Sequence, residues 1–429
     1  MRLGGRLAGA IEVLTDIETR RRPVADALKD WGLAHRFAGS GDRAAIGNIV
    51  YDALRMRLSH AYLMNDDSPA ALGYAVMFRQ WDQAPETLAA ELEGDHFAPA
   101  PLSEEQLSAF QTRSLDEAPL HVQGDIPDWV QPSFEEAFGE SWLEEAKALS
   151  ARPSLDLRVN TLKATREKTL KALDRSGVQP ARIAPNGIRI PAGEGPSRLP
   201  NVTAELSFQK GWFEVQDEGS QIVAALVDPK DGDQVLDFCA GGGGKTLALA
   251  AAMHNKGQVH AYDSDRKRLA PIIERLKRAG THNVQVHDNA KALVPMLGKI
   301  DKVLVDAPCT GTGTWRRRPD TKWRLTQRNL DERISQQQAV LADASAYVRP
   351  GGELLYVTCS VLPEENDRQV DAFCKAHPDF EIVTALDTWD RLFGASGPRP
   401  LSRNGRTLTL SPASTDTDGF FFCRMRRKA

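Results

Sequence analysis

The chain has 429 residues, a length that predicts about three domains. Its composition, 41% hydrophobic and 26% charged, excludes global disorder, and no run of about 18 apolar residues is present to span a membrane. The net charge of −4 divides unevenly: +3 over residues 1–60, −15 over 61–150 and +8 over 151–429, so an acidic front segment precedes a mildly basic body.

From the N-terminus, apolar residues recur at helical spacing: Ile11, Leu14 and Ile17, then Val24 and Leu28, then Ile46, Ile49, Val50 and Leu54. Ser40-Gly41-Asp42-Arg43 offers an N-cap before the last run. Glu12 interrupts the first apolar stretch and no cleavage pattern follows, so no signal peptide is read. Residues 85–93 and 133–149 continue the helical pattern, and residues 1–150 are expected to be mainly helical. Near residue 151 the texture changes. Residues 155–160 alternate with period two and predict a strand, 165–176 a helix ending near Gly177, and Asn186-Gly187 a turn into a strand at 188–190. From about 225 strands and helices alternate. Strands are predicted at 234–238, 259–262, 283–287, 303–305 and 353–358; helices at 245–253, 266–279 and 330–348, with a turn at Pro350-Gly351-Gly352. This alternation implies an α/β fold with a doubly wound parallel sheet. Residues 406–410 and 419–425 predict an antiparallel hairpin added to it. The expected domains are 1–145, helical; 146–225, small α/β; and 226–429, doubly wound.

The first motif, Asp237-Phe238-Cys239-Ala240-Gly241-Gly242-Gly243-Gly244-Lys245-Thr246, stands at a strand-to-helix junction. Four glycines let backbone approach a ligand, and a helix N-terminus favours negative groups. A Walker loop would need glycine at Cys239. A dinucleotide fingerprint would need it at Thr246. A methyltransferase loop for S-adenosylmethionine tolerates the pattern, with acids ending the later strands; Asp263, Asp288 and Asp306 stand there. Asp306-Ala307-Pro308-Cys309 and Thr358-Cys359-Ser360 end two further strands, which a doubly wound sheet brings together at its ligand-binding edge. Five cysteines without a Cys-x-x-Cys argue against a disulfide framework or a zinc site and fit a reducing cytoplasm. Two thiols, an acid and a methyl donor suit methylation of carbon 5 of a cytosine, a poor nucleophile until a thiolate adds to carbon 6.

Together the three motifs resemble the RsmB/Sun family of RNA 5-methylcytosine methyltransferases over most of residues 151–429. The resemblance implies a Rossmann-like methyltransferase domain, with Cys359 as nucleophile, Cys309 aiding product release, and Asp306 and Lys245 beside the reacting groups. It implies an S-adenosylmethionine site at Cys239, Ala240, Gly241, Gly242, Gly243, Gly244 and Lys245, with Asp263, Asp288 and Asp306. The family usually has Ala-Pro or Ser-Pro where this chain has Gly241-Gly242, so the loop is expected to be freer before the donor binds.

Residues 315–324 hold five basic residues and two tryptophans, a combination suited to phosphates and bases. Arg316, Arg317, Arg318, Lys322, Trp323 and Arg324 are therefore expected to bind RNA. Arg158 and Asn160 join them because 157–163 resembles the family's RNA-contacting strand. Residues 42–55 resemble the NusB-type helical RNA-binding domain, whose RNA-facing side would carry Arg20, Arg21, Arg22, Arg43, Arg55 and Arg57. The acidic part would then face solvent, a protein or the basic body. The expected substrate is ribosomal RNA, most simply of the small subunit, with an accessible cytosine, acted on by a cytoplasmic monomer. Transfer RNA, large-subunit RNA and an inactive RNA-binding assembly factor remain as alternatives.

Overall fold

The computed structural model describes residues 1–402 and 405–429, which divide into two units. The first comprises residues 1–153 together with 192–199 and 315–325. Its helices Leu3–Arg20 and Ser40–Arg55 bury Leu14, Ile46, Ile49, Val50 and Leu54 of the expected apolar stripes, and Leu7 and, from the helix Pro69–Arg79, Val76 join the same core. The N-cap is Gly39, one residue before the expected segment 40–43, and Asp42, three residues on, accepts the Gly39 amide at 3.1 Å. The helix expected over 133–149 is two, Gln131–Phe138 and Trp142–Leu149, parted where Gly139 turns to φ +58°.

The second unit holds two sheets. The smaller contains β1 (Leu155–Val159), β2 (Gln179–Pro180), β3 (Gly187–Ile190) and β4 (Phe213–Val215) in the antiparallel order β2-β3-β1-β4. The larger contains β5 (Gln234–Asp237), β6 (Gln258–Tyr262), β7 (Val284–His287), β8 (Ile300–Asp306), β9 (Val348–Thr358), β10 (Phe380–Val383), β11 (Leu408–Leu410) and β12 (Phe420–Arg427). Its order is β10-β12-β9-β8-β5-β6-β7, parallel from β9 to β7, with β12 antiparallel to β9, β10 and β11. Two local expectations change. Pro271 cannot donate a backbone hydrogen bond, and the helix predicted over 266–279 breaks into Arg266–Leu269 and Ile272–Ala279. Pro350-Gly351-Gly352 is not a turn: β9 runs through it, with Gly351 at φ +73° and a register shift against β8.

Buried charge fastens the small sheet to the large one. Glu214 on β4 accepts Arg275 at 3.0 Å and Arg278 at 2.5 Å. Arg189 on β3 pairs with Asp156 at 2.7 Å, Asp416 at 2.5 Å and Glu218 at 3.1 Å, and these carboxylates hold its pKa up against burial.

Candidate active site

β5 ends in Asp237, and the loop after it turns at Gly241 (φ +51°) and Gly243 (φ +81°) into the helix Gly244–Ala252. A Cβ on Gly243 would meet Ile272 at 2.4 Å, so both conformation and packing require glycine there. Gly241 is different: its Cβ would find nothing nearer than Arg268 at 3.5 Å. Asp263, after β6, accepts the Gly241 amide at 2.9 Å and the Asp265 amide at 2.8 Å, so it shapes the loop directly. Asp288, after β7, is exposed and lies 3.6 Å from Arg266. Asp237 is buried. Its Oδ2 accepts the Thr246 hydroxyl at 2.7 Å, its Oδ1 has no partner, and burial pushes its pKa up to about 7. Burial, with the charges of Asp306, Asp237 and Asp263, drives the Cys239 thiol well above its ordinary range.

β8 and β9 are parallel neighbours, and the loops after them meet. Cys309 Sγ and Cys359 Sγ lie 3.3 Å apart, both partly exposed. The Gly313 amide donates to the Cys359 carbonyl at 3.0 Å, and Thr312 and Ser360 share a hydroxyl hydrogen bond at 3.0 Å. A Cβ on Gly313 would strike the Gly419 carbonyl oxygen at 2.2 Å, so the start of β12 closes on the same loop. Lys245 reaches across and donates to Asp306 at 2.6 Å, with its ammonium 5.3 Å from the Phe420 ring centroid. Burial disfavours the Lys245 charge, but Asp306, by charge and hydrogen bond, outweighs it, and the net shift is upward. The Cys309 thiol is raised well above its ordinary range, first by its hydrogen bond to Cys359, then by burial and by the charges of Cys359, Glu365 and Asp306.

Glu365 is the residue that motif reading left without a role. It is fully buried, and its carboxyl accepts the Thr310 amide at 2.8 Å, the Thr310 hydroxyl at 2.5 Å and Gln337 Nε2 at 2.9 Å. Gln337, on the helix Gln327–Ser345, also donates to the Pro308 carbonyl at 3.0 Å. The Cys309 loop is thus tied to the loop after β9 by one buried carboxyl. The acidic cluster in Pro363-Glu364-Glu365-Asn366 was the available signal, but its partners lie 28 and 55 residues away in sequence.

Of the residues expected to meet RNA, Arg158, Asn160, Arg316 and Lys322 are buried. Arg158 is buried and donates to Gln216 at 2.6 Å and to the Gly244 carbonyl at 2.7 Å; burial pulls its pKa down to about 10. Asn160 is buried and donates to the carbonyls of Gly211 and Ala279 at 2.9 and 2.8 Å. Within the helical unit, Trp315 stacks on Phe134 at 5.8 Å, and the Arg316 carbonyl accepts Arg55 at 2.7 Å while both arginines are buried. Lys322 is 1% exposed and donates to the Arg55 carbonyl at 2.9 Å and to Ser150 at 3.0 Å. Trp323 donates to the Leu54 carbonyl at 2.6 Å. Arg318 and Arg324 remain exposed, Arg317 is half-buried, and Arg324 pairs with Asp320 at 2.7 Å. Arg158, Asn160 and Lys322 thus spend side-chain donors on backbone carbonyls and neighbouring side chains, and Arg316 is buried in sequence-distant packing.

Two family models match the chain. One, described as 16S rRNA methyltransferase RsmB/F, covers residues 224–426; the other, an RsmF/B-like ferredoxin-like domain, covers 126–193. A ribosomal RNA small subunit methyltransferase B of Shigella flexneri is 32% identical over 329 residues, 76% of this chain and 70% of that protein. Among solved structures, PH0851 aligns with a TM-score of 0.74 at 23% identity, over all of this chain and 99% of that one. A methyltransferase homolog from Pyrococcus horikoshii aligns at 0.59 and 27%, over 73% of this chain and all of that one.

Proposed function

The chain belongs to the RsmB/F family of ribosomal RNA 5-methylcytosine methyltransferases, which use S-adenosylmethionine, and from that premise we propose that it methylates a cytosine of small-subunit RNA through a covalent bond from Cys359 to carbon 6. The observation that carries the reading is the 3.3 Å pair of Cys309 and Cys359 at the ends of adjacent parallel strands, next to the Lys245–Asp306 pair.

The donor side of the crevice fits S-adenosylmethionine. Asp237 keeps a buried carboxyl oxygen without a partner, and the left-handed backbone at Gly241 leaves space beside it. Residues Cys239 to Lys245, with Asp263, Asp288 and Asp306, would hold the cofactor. Bound there, it supplies the methyl group.

The protein's part follows from its own groups. The target base leaves its stack to reach the crevice. The Cys359 thiolate adds to carbon 6, breaking the ring double bond and making carbon 5 an enamine nucleophile. Lys245, kept charged by Asp306, offers positive charge as electron density enters the ring, and Asp306 accepts from the base amino group. Carbon 5 takes the methyl group. Its proton then goes to a base, the carbon–sulfur bond breaks, and Cys359 departs as thiolate. Cys309 suits the role of that base. While Cys359 is free, its hydrogen bond holds the Cys309 proton; once Cys359 is bonded to carbon the largest of the influences raising Cys309 is gone, so Cys309 gives its proton to solvent and, as thiolate, takes the carbon-5 proton before Cys359 leaves.

The test uses labelled S-adenosylmethionine and ribosomal RNA from cells lacking the enzyme. Wild type should label small-subunit RNA, Cys359→Ala should not, and Cys309→Ala should accumulate a protein–RNA adduct stable to denaturing gels. Absence of transfer by wild type removes the enzymatic reading. Label on transfer or large-subunit RNA moves the substrate, and an adduct with Cys359→Ala instead exchanges the two roles.

A further inference from the structure

In the helical unit a groove of about 650 Å³ opens between the helices Pro69–Arg79, Pro85–Leu92 and Glu104–Thr112. Phe78, Leu88, Leu92, Leu102 and Leu107 line it, and Glu86 and Glu93 stand on its rim. The segment that builds it, residues 85–111, carries six carboxylates and no lysine or arginine. Among the described residues none of these six has an ion-pair partner. Glu86, Glu104 and Glu105 sit in first turns, where a helix dipole favours them. Glu91 and Glu93 do not: they occupy the last turn and the C-cap of Pro85–Leu92, where the dipole opposes a carboxylate. Helix stability therefore gives no account of Glu93 on the rim or of Glu91 two residues before it, and a bound cation would.

We propose that this groove is a docking site for a lysine- or arginine-rich polypeptide segment with apolar anchors, so that the acidic block 61–150 binds a basic protein rather than RNA. The apolar floor takes the anchors, and the unpaired rim carboxylates select positive charge. The same field repels phosphate, which separates this face from any nucleic-acid surface of the molecule.

The experiment is fluorescence anisotropy on the full-length protein with a short amphipathic Leu/Lys peptide, a Leu/Glu peptide of the same length, and a single-stranded RNA oligonucleotide. The Leu/Lys peptide should bind saturably and more weakly as salt rises; the Leu/Glu peptide and the RNA should not compete for its site. The exposed triple charge reversal Glu86→Lys/Glu91→Lys/Glu93→Lys should weaken it by about tenfold. Ala89→Trp, which fills the groove without changing charge at an exposed lining position, should weaken it comparably, by about tenfold. Circular dichroism and the Tm of each variant verify that the helices persist. Loss on charge reversal with full binding by Ala89→Trp would mean diffuse attraction to an acidic surface and overturn the docking site; competition by RNA would overturn the class of partner.

Discussion

Lys245 and Lys322 are both buried lysines, one bonded to Asp306 at the end of β8 and one in the helical unit, and their pKa values move in opposite directions. Burial disfavours the charge on each. Lys245 bonds a carboxylate, Asp306, at 2.6 Å, and its net shift is upward. Lys322 bonds a carbonyl and a hydroxyl, Asp125 helps only through space, Arg55 opposes it, and its pKa falls to about 7. Burial alone does not decide what a lysine does. A directly bonded counter-charge makes it a fixed cation available to chemistry, whereas neutral partners leave a group whose charge costs the fold.

The comparison can be broken at its charged end first. Asp306→Asn should lower kcat by about 10²–10³-fold, since it removes the carboxylate facing the base and the charge that keeps Lys245 protonated. With the largest opposition to burial then removed, the residual activity should fall at lower pH than in wild type on the alkaline side; a pH–rate profile with an unmoved alkaline limb would show that Asp306 is not what holds Lys245 up. Glu365→Ala tests whether the crevice also needs its buried carboxyl. Freed from Glu365, the Cys309 loop should shift, and single-turnover methyl transfer should slow by about a hundredfold with donor affinity unchanged. An equal loss of donor affinity would mean that Glu365 supports the whole sheet edge instead.

At the other end, Lys322 makes a prediction about stability. Between about pH 7 and its ordinary 10.5 the unfolded chain binds a proton that the folded protein does not, so stability should rise with pH across that window. The slope contributed is at most about 1.4 kcal/mol per pH unit, and Lys322→Met should flatten it in urea melts at pH 7 and 9. The smallest effect concerns the donor loop. Gly242→Pro should tighten donor binding by about two- to fivefold in calorimetry, because less loop entropy is lost on binding; an unchanged Kd would mean that the loop is already ordered, as the Asp263–Gly241 bond would favour.

Much of the fold follows from local pattern. The alternation from 225 onward contains the parallel sheet, and the terminal hairpin appears as β11 and β12. The misplaced boundaries have local causes: Pro271 divides one helix, Gly139 another, and the Pro350-Gly351-Gly352 bulge lets β9 begin at Val348. Residues 192–199 join the helical unit through Arg152 and Asn48, whose side chains donate to the carbonyls of Gly193, Gly195 and Ser197, partners that no local pattern announces.

Local pattern was enough to bring the crevice residues together on paper, because motifs at the ends of parallel strands are carried to one edge by topology. Asp306, Cys309, Cys359 and Lys245 could be named from their positions after strands or at the start of a helix. Only the tertiary structure decided how side chains with two uses are spent. Arginine, lysine and tryptophan serve equally to hold RNA or to close a core, and the composition of the 315–324 run does not separate the two uses. Lys322 meets Arg55 across 267 residues of chain, and that contact, made by packing, buries Lys322 while Arg318 and Arg324 in the same run stay exposed. Glu365 was undecided for the same reason: a carboxyl becomes a tether only when burial and distant donors converge on it.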